Sequence, residues 1–451
     1  MQLRVSTSLR YFSLVLICLS AVSRSFGESS LIKTAEVRTV YKNIDETSKM
    51  STYPKWIYNW MKSHQGWSPL KQISDSCQKN LSSSILQPDV CVAQSELNPW
   101  QNFLSKIYVD FNFENSKWFK RVQFEPQPNV KFRGLLGLQP DHEKNKKPLV
   151  ILRMGIHGNI DEFLAERFIA KIIYEDLGYN LLVLESLTSH GYLTINDRFS
   201  FGGIEEGLHT FYVLQLIRLQ KLDWAKDISK IYLTGISLGG PGVFVTNYLD
   251  EQSKMSGVKK KSIDAIELFC PLVNLEQTFN EHARQGLLSA IIDLWNARRL
   301  LALRLKNEEF ANIPWWKTFF DLRPRFVPSV LSWLNAHEPK PVIDINEFQK
   351  QFPDLELPQE FVQHVQASRT YYELNRFWGF YKNESTPISI YLTPNDPAVK
   401  NNLNSDLIRI GKQPGEFQKV TFTDLEGLHC AVAAEYQWPF LVELMKRGFD
   451  R

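Results

Sequence analysis

The strongest constraint on the fold lies in residues 231–242, which read IYLTGISLGGPG. An apolar run typical of a strand ends there in a G-x-S-x-G pattern, with Gly235 and Gly239 two residues on either side of Ser237. A serine on so tight a strand-to-helix turn has strained backbone angles, and larger side chains at the two glycine positions would collide with it. The pattern therefore predicts a turn that lifts the Ser237 hydroxyl clear of a sheet and points the N-terminus of the following helix at it.

From Val122 onward, strand-like apolar runs alternate with longer amphipathic stretches. This alternation is typical of an α/β fold with a mostly parallel central sheet flanked by helices. The first two runs, 121–126 and 130–139, predict an antiparallel pair that opens the sheet. The other predicted strands are 148–154, 179–186, 228–237, 263–272, 387–393 and 419–425, and the predicted helices are 160–175, 205–219 and 242–252.

A serine hydroxyl becomes a nucleophile only when a base takes its proton and a carboxylate orients that base. Asp396 lies just beyond one predicted strand, and His429 lies just beyond the last. Asp424 and Glu426 are nearer to His429 in sequence, but they belong to the same strand end and would have to fold back. The order along the chain therefore favours Ser237, Asp396 and His429 as a catalytic triad.

With these features, the chain resembles the α/β-hydrolase superfamily over about residues 118–450. The resemblance rests on the opening antiparallel pair, the G-x-S-x-G turn, the acid after the penultimate strand and the histidine after the final one. It implies that Ser237 attacks a carboxylic ester, as in a carboxylesterase or lipase, while His429 acts as base and then acid and Asp396 fixes the imidazole. A peptidase or thioesterase uses the same triad, and a non-catalytic binding protein can keep the fold, so these alternatives stay open.

The resemblance also implies an oxyanion hole made of two backbone N–H groups. One is expected from Leu238, which follows the serine. The other is expected from the loop after strand 148–154, where the family usually carries His-Gly directly at the strand end and this chain has Met154-Gly155. The donor is then Ile156 or, on the alternative alignment, Asn159, and we favour Ile156 because the predicted strand ends just before it.

A chain of 451 residues exceeds the size at which one core stops growing, so we expect one large domain with insertions or two domains. The tryptophan-rich insert resembles in its position the lid of α/β-hydrolases, and its aromatic side chains suit an acyl substrate or the insert's own core. The expected division is a signal peptide at 1–27, an N-terminal extension at 28–117, a hydrolase core at 118–272 and 387–451, and a helical cap at 273–386.

The N-terminus has the pattern of a secretory signal. Arg4 and Arg10 precede an apolar run at 11–22, and Ser25 and Gly27 have the spacing of a cleavage site. The run is too short to span a bilayer comfortably. We therefore expect a secreted or periplasmic protein with no transmembrane span after the signal is removed.

The charge of the chain gives no indication of a nucleic-acid partner. Removing residues 1–27 takes away three arginines and no acid, which lowers the formal charge from +3 to 0. The one basic run, 259–261, reads as a solvated loop. We expect a small-molecule or acyl substrate, and the proposed chemistry requires no cofactor.

Five cysteines remain to be placed. Cys18 lies in the predicted signal, and Cys77 and Cys91 lie in a polar segment where a disulfide would close a short loop in an oxidising compartment. Cys270 and Cys430 follow apolar strands, so we expect both to be buried thiols. No CxxC or HxxxH spacing occurs, and the sequence thus predicts no metal site.

Overall fold

The computed structural model of the chain describes residues 41–43, 74–91, 109–111, 113, 116–156, 158–161, 166–196, 203–255, 262–282, 344–367, 385–410, 419–425, 429–430 and 438–451. The predicted signal peptide and most of the predicted helical cap lie outside these residues. His157 and Glu426 also lie outside them.

A sheet of nine strands forms the centre of the described chain. Its strand order is β1-β2-β3-β5-β4-β6-β8-β10-β11, and β7 and β9 form a separate antiparallel pair. The strands are β1 (Tyr41–Asn43), β2 (Phe119–Gln127), β3 (Val130–Gly137), β4 (Lys147–Arg153), β5 (Asn180–Leu184), β6 (Ile228–Ile236), β7 (Lys254–Met255), β8 (Ile263–Phe269), β9 (Leu355–Glu356), β10 (Ile388–Leu392) and β11 (Val420–Asp424).

Six of the nine strands are mutually parallel. They run from β5 through β4, β6, β8 and β10 to β11, while β1, β2 and β3 pair in antiparallel fashion at the other edge. The predicted α/β class, with a mostly parallel sheet flanked by helices, is confirmed. Because these strands are parallel, their carboxyl ends lie along one edge of the sheet, where ligands of such folds bind.

Helices cover both faces of the sheet, and successive residues of a strand point to opposite faces. On β4, Leu149 and Ile151 belong to one core layer, whereas Val150 and Leu152 belong to the other. The helices are α1 (Asp75–Leu81), α2 (Pro88–Cys91), α3 (Arg167–Lys171, continued by a π-helical turn at Ile172–Asp176), α4 (His190–Asn196), α5 (Gly203–Arg218), α6 (Gly239–Gln252), α7 (Leu275–His282), α8 (Ile345–Gln351), α9 (Gln359–Ala367), α10 (Ser405–Ile410) and α11 (Trp438–Phe449).

Part of the predicted N-terminal extension belongs to the core. Strand β1 pairs with β2, and Phe111 and Phe113 are buried in the layer that contains α3 and α11. The disulfide between Cys77 and Cys91, the pair expected from the sequence, lies in the same layer. Arg447 of α11 donates hydrogen bonds to the carbonyl groups that end α1, so the disulfide-closed loop is held against the last helix.

The segment 344–367, which the sequence assigns to the cap, packs on the opposite face. Phe348 of α8 stacks against Phe211 of α5, and the backbone N–H of Asp344 donates to Gln127 at the end of β2. Phe361 of α9 is fully buried in the same layer. This part of the insert therefore completes the hydrophobic core beside the sheet.

In the part of the chain described here, the helices are all too short or too polar to cross a membrane.

One carboxyl group is buried near the C-terminal end of β8. Glu267 on β8 is fully buried, and its Oε1 accepts a hydrogen bond of 2.9 Å from the hydroxyl of Tyr391 on β10. Burial raises the pKa of Glu267 well above its usual value of 4.5, and the hydrogen bond from Tyr391 and the charge of Arg451 lower the pKa only in part. The folded chain therefore keeps a proton on Glu267 that the unfolded chain releases.

We expect Glu267→Gln to remove a pH-dependent loss of stability. Between pH 4.5 and the raised pKa of the folded state, Glu267 holds a proton that the unfolded chain has released, so the free energy of unfolding falls by up to about 1.4 kcal/mol per pH unit. The variant carries no such proton and should gain stability relative to the wild type as the pH rises. Urea unfolding at a series of pH values measures this difference.

The control is Glu356→Gln on the exposed end of β9, which should follow the wild-type curve. If Glu267→Gln also weakens packing, that cost is the same at every pH. It shifts the variant's plot of unfolding free energy against pH without changing the slope. Parallel curves for wild type and Glu267→Gln would show that the folded state does not retain this proton.

Candidate active site

Ser237 occupies the turn between β6 and α6 with a positive backbone angle, φ 50°. This left-handed conformation is rare for a serine and marks a strained turn. An ideal Cβ added to Gly239 would lie 2.5 Å from the carbonyl oxygen of Arg153, and one added to Gly235 would lie 2.9 Å from the Cα of Gly240. Both glycine positions thus lie against backbone atoms that leave no room for a side chain.

Asp396 and His429 form a hydrogen-bonded pair at the same edge. Nδ1 of His429 donates to the two carboxylate oxygens of Asp396, at 2.7 and 2.9 Å. The Asp396 side chain is fully buried, whereas a quarter of the His429 side chain is exposed. The carboxylate also accepts the backbone N–H groups of Ala398 and Val399, both at 2.8 Å, so its position is fixed independently of the histidine.

The environment of Asp396 favours its ionised form. Burial alone would raise the pKa of this carboxyl, but the charge and hydrogen bond of His429 and the N–H groups of Ala398 and Val399 outweigh burial and lower the pKa below its usual value. Asp396 is therefore a carboxylate at neutral pH. A carboxylate at Nδ1 holds a neutral imidazole in the tautomer whose lone pair is on Nε2.

The structure joins Cys270 to Cys430 in a disulfide, with the two Cα atoms 5.0 Å apart. The expectation that both are free thiols is wrong. Each cysteine is buried, as its apolar strand predicts, but burial is equally compatible with a thiol and a disulfide. The pairing depends on two chain segments separated by 160 residues, which meet only when the sheet forms.

The two sulfur atoms lie near Nε2 of the imidazole. Nε2 of His429 is 3.3 Å from Sγ of Cys430 and 3.8 Å from Sγ of Cys270. The two sulfur atoms and the ring nitrogen, all of which can bind a metal, lie within 4.8 Å of one another. The sequence gives no motif spacing for this group, because its members come from β8 and the segment after β11.

The backbone of Ser237 is hydrogen-bonded to the strand that leads to Cys270. Its N–H donates to the carbonyl oxygen of Phe269 at 2.9 Å, and Phe269 directly precedes Cys270. Between described atoms, Oγ of Ser237 makes no hydrogen bond to His429. The structure thus brings Ser237, Asp396 and His429 to one end of the sheet and joins only the last two directly.

The loop after β4 passes beside Ser237. An ideal Cβ on Gly155 would lie 3.5 Å from Cβ of Ser237, and the N–H of Gly155 donates to Glu166. The backbone N–H groups of Ile156 and Leu238, the two expected oxyanion donors, have no acceptor among the described residues.

A buried ion-pair network supports the same loop. The guanidinium of Arg133 on β3 donates to Glu185 at 2.8 Å, to Asp161 at 2.7 Å and to the side chain of Asn159 at 3.3 Å. Asn159, the alternative oxyanion residue, is thus held in this network by its side chain. These hydrogen bonds connect Asn159 and Asp161 of the loop to β3.

Sequence reasoning missed Glu166 and Arg133 as residues that position the loop. Arg133 carried a signal, because it lies between Phe132 and the uncharged run 134–137, and a charge buried in such a strand needs a partner. Glu166 carried none, since nothing in the predicted helix 160–175 distinguishes it from the other polar residues there.

Within the nine-stranded sheet, the opening antiparallel pair, the serine turn, the acid after the penultimate strand and the histidine after the final strand occur in the order expected from the sequence. The chain has the α/β-hydrolase fold. No protein-family model matches it, and no curated protein sequence matches it either.

Solved structures similar to this chain share little of its sequence. A Legionella pneumophila protein described as a hydrolase is 15% identical over 74% of this chain and 89% of its own, with a TM-score of 0.44. An esterase from Pyrococcus furiosus is 14% identical over 73% of this chain and 90% of its own, with a TM-score of 0.40. An acylaminoacyl peptidase from Pyrococcus horikoshii is 15% identical over 75% of this chain and 44% of its own, also with a TM-score of 0.40. With TM-scores below 0.5, these likenesses carry no conclusion about this chain.

Peptide mapping without reduction should recover two cross-linked pairs, Cys77 with Cys91 and Cys270 with Cys430. The structure joins the members of each pair in a disulfide. Mass spectrometry of the digest identifies the linked peptides, and a reduced sample provides the control. Free, alkylated Cys270 and Cys430, or a link between Cys77 and either of them, would contradict this assignment.

Proposed function

We propose that the chain is an exported serine hydrolase that cleaves carboxylic esters through an acyl-enzyme on Ser237. The observation that carries the proposal is the hydrogen-bonded Asp396–His429 pair at the edge of the sheet where the strained Ser237 turn lies. This combination gives a nucleophile, a base and a group that orients the base.

In the proposed reaction, Nε2 of His429 takes the hydroxyl proton as Oγ of Ser237 attacks the ester carbonyl carbon. The oxyanion that forms accepts hydrogen bonds from the N–H groups of Leu238 and Ile156, each commonly lowering the barrier by about 3 kcal/mol. The tetrahedral intermediate collapses, His429 protonates the leaving alcohol, and an acyl-serine remains. Water, deprotonated by His429, then releases the acid by the same steps.

One feature of the site supports this chemistry. The low pKa of Asp396 keeps a negative charge beside the imidazole, which stabilises the imidazolium that forms during each proton transfer. The proposal requires Oγ of Ser237 to reach Nε2 in the substrate complex, since catalytic hydrogen bonds often form only there. Parallel assays with esters, thioesters and peptide amides decide which acyl bond is cleaved.

We also propose that the chain acts outside the cytoplasm, after removal of residues 1–27. Two disulfides in one chain support an oxidising compartment. In this proposal the mature protein begins near Glu28 with an N-terminal extension to residue 117, and the insert 273–386 carries the substrate cap.

We expect Ser237→Ala to abolish covalent labelling by a fluorophosphonate and to abolish ester hydrolysis. The reason is that the label and the substrate react with the same hydroxyl, which makes no hydrogen bond that would stabilise the fold in the described structure. Gel fluorescence and a chromogenic ester assay measure the two effects, and circular dichroism checks folding.

The matched control is Ser253→Ala, at the opposite end of α6. Ser253 is buried and its hydroxyl has no hydrogen-bond partner among the described residues, so this variant should label like the wild type. Equal labelling of Ser237→Ala and the wild type would place the nucleophile at another residue.

We expect Asp396→Asn to lower kcat by about 10⁴-fold, because an amide favours the wrong tautomer of the imidazole. The amide oxygen can still accept the N–H groups of Ala398 and Val399, so the turn should stay intact. Steady-state kinetics with the ester substrate measure the loss.

Two further variants complete the experiment on the acid. Asp424 pairs with Arg409 at the surface, so Asp424→Asn should keep nearly full activity. Near-normal activity in Asp396→Asn, together with a large loss in Glu426→Gln, would assign the acid role to Glu426.

A further inference from the structure

The sulfur atoms of Cys270 and Cys430 face Nε2 of His429, at 3.8 and 3.3 Å. Both cysteines are 1% exposed, whereas a quarter of the His429 side chain is exposed. Two sulfurs and one imidazole nitrogen that converge in this way form a set of metal ligands. The proposed ester chemistry uses the nitrogen but neither of the sulfurs.

The distances from nitrogen to sulfur correspond to the edges of a zinc tetrahedron. With Zn–S near 2.3 Å and Zn–N near 2.0 Å, tetrahedral geometry puts the nitrogen about 3.5 Å from each sulfur. The two observed distances lie on either side of this value. The sulfurs themselves must move apart to roughly 3.8 Å, the corresponding edge between two thiolates on zinc, and opening the disulfide allows that movement.

The other ring nitrogen, Nδ1, already makes the kind of hydrogen bond that supports a metal-binding histidine. Nδ1 of His429 donates to the carboxylate of Asp396, which is anchored by the N–H groups of Ala398 and Val399. A carboxylate in this position fixes the ring and directs the Nε2 lone pair towards the metal, as in the carboxylate–histidine–zinc arrangement.

We propose that Cys270, Cys430 and His429 bind Zn²⁺ when the Cys270–Cys430 disulfide is reduced. A phosphine and water convert the disulfide into two thiols and a phosphine oxide, and Zn²⁺ then displaces the two thiol protons. The metal has two thiolates and one imidazole as ligands, with its fourth position open to water. Thiolates and imidazole select zinc over the hard cations Mg²⁺ and Ca²⁺.

The zinc site and the ester chemistry use the same nitrogen. A metal on Nε2 of His429 occupies the lone pair that takes the proton of Ser237, so zinc should inhibit hydrolysis. This consequence rests on the proposed function, whereas binding of zinc does not. Oxidation of Cys270 and Cys430 to the disulfide therefore prevents zinc binding, and reduction of the disulfide allows it.

The test uses Co²⁺, which takes the place of Zn²⁺ in thiolate sites and absorbs visibly there. The full chain is reduced with a phosphine, freed of excess reagent under nitrogen and titrated with Co²⁺. We expect a sulfur-to-cobalt charge-transfer band that saturates at one equivalent and disappears when Zn²⁺ is added. The oxidised chain should give no band, and absence of the band in the reduced chain would overturn the proposal.

Alkylation locates the site without a mutation. In the reduced wild type, Zn²⁺ should slow the reaction of iodoacetamide with Cys270 and Cys430 and leave Cys77 and Cys91 reactive, as read by mass spectrometry. Protection of Cys77 and Cys91 instead, or of no cysteine, would overturn the proposal.

Variants provide a second, independent assignment. Cys270→Ser and Cys430→Ser should lose the cobalt band, whereas the double variant Cys77→Ser, Cys91→Ser should keep it. Asp396→Asn should weaken zinc binding by about 10 to 100-fold, because Asp396 positions the ligand His429. A band that survives in Cys270→Ser and Cys430→Ser would contradict the proposal.

Fluorophosphonate labelling separates the two proposals. If the oxidised chain is labelled and the reduced, zinc-loaded chain is not, both proposals are supported. If the oxidised chain is never labelled, the proposed hydrolase activity fails, and the cobalt spectrum still decides the zinc site alone.

Discussion

The whole site depends on parallel strands that end together at one edge of the sheet. Ile236, Phe269 and Tyr391 lie opposite one another at the ends of β6, β8 and β10. The ladder continues past these ends, because Ser237 donates to Phe269 and Cys270 donates to Tyr391 through backbone hydrogen bonds. Residues far apart in sequence are thereby held side by side before any side chain contributes.

The disulfide links the strand next to the serine with the segment that carries the histidine. Cys430 directly follows His429, and its partner Cys270 directly follows the strand that receives the hydrogen bond of Ser237. The covalent link therefore fixes the histidine to the scaffold of the nucleophile, while Asp396 fixes its other side. Whether the Cys270–Cys430 disulfide is oxidised or reduced therefore affects both the position of His429 and the groups around its imidazole.

The sequence predicts the parts of the site that local patterns encode. The serine turn follows from glycine spacing, and Asp396 and His429 follow from their positions after strands. The Cys270–Cys430 bond was not predicted, because burial of each cysteine says nothing about its partner. The loop support by Glu166 and Arg133, the edge strand β1 and the packing of 344–367 on the core all depend on long-range contacts that periodicity does not contain.

The central claim is that the reactive nucleophile of this fold is Ser237. Tandem mass spectrometry of the oxidised chain after fluorophosphonate treatment tests this claim directly, because the fragment masses identify the residue that carries the adduct. The account predicts a single phosphonylated peptide that contains residues 231–242, with the mass increase on Ser237. An adduct on a different residue, or an active esterase that forms none, would contradict it.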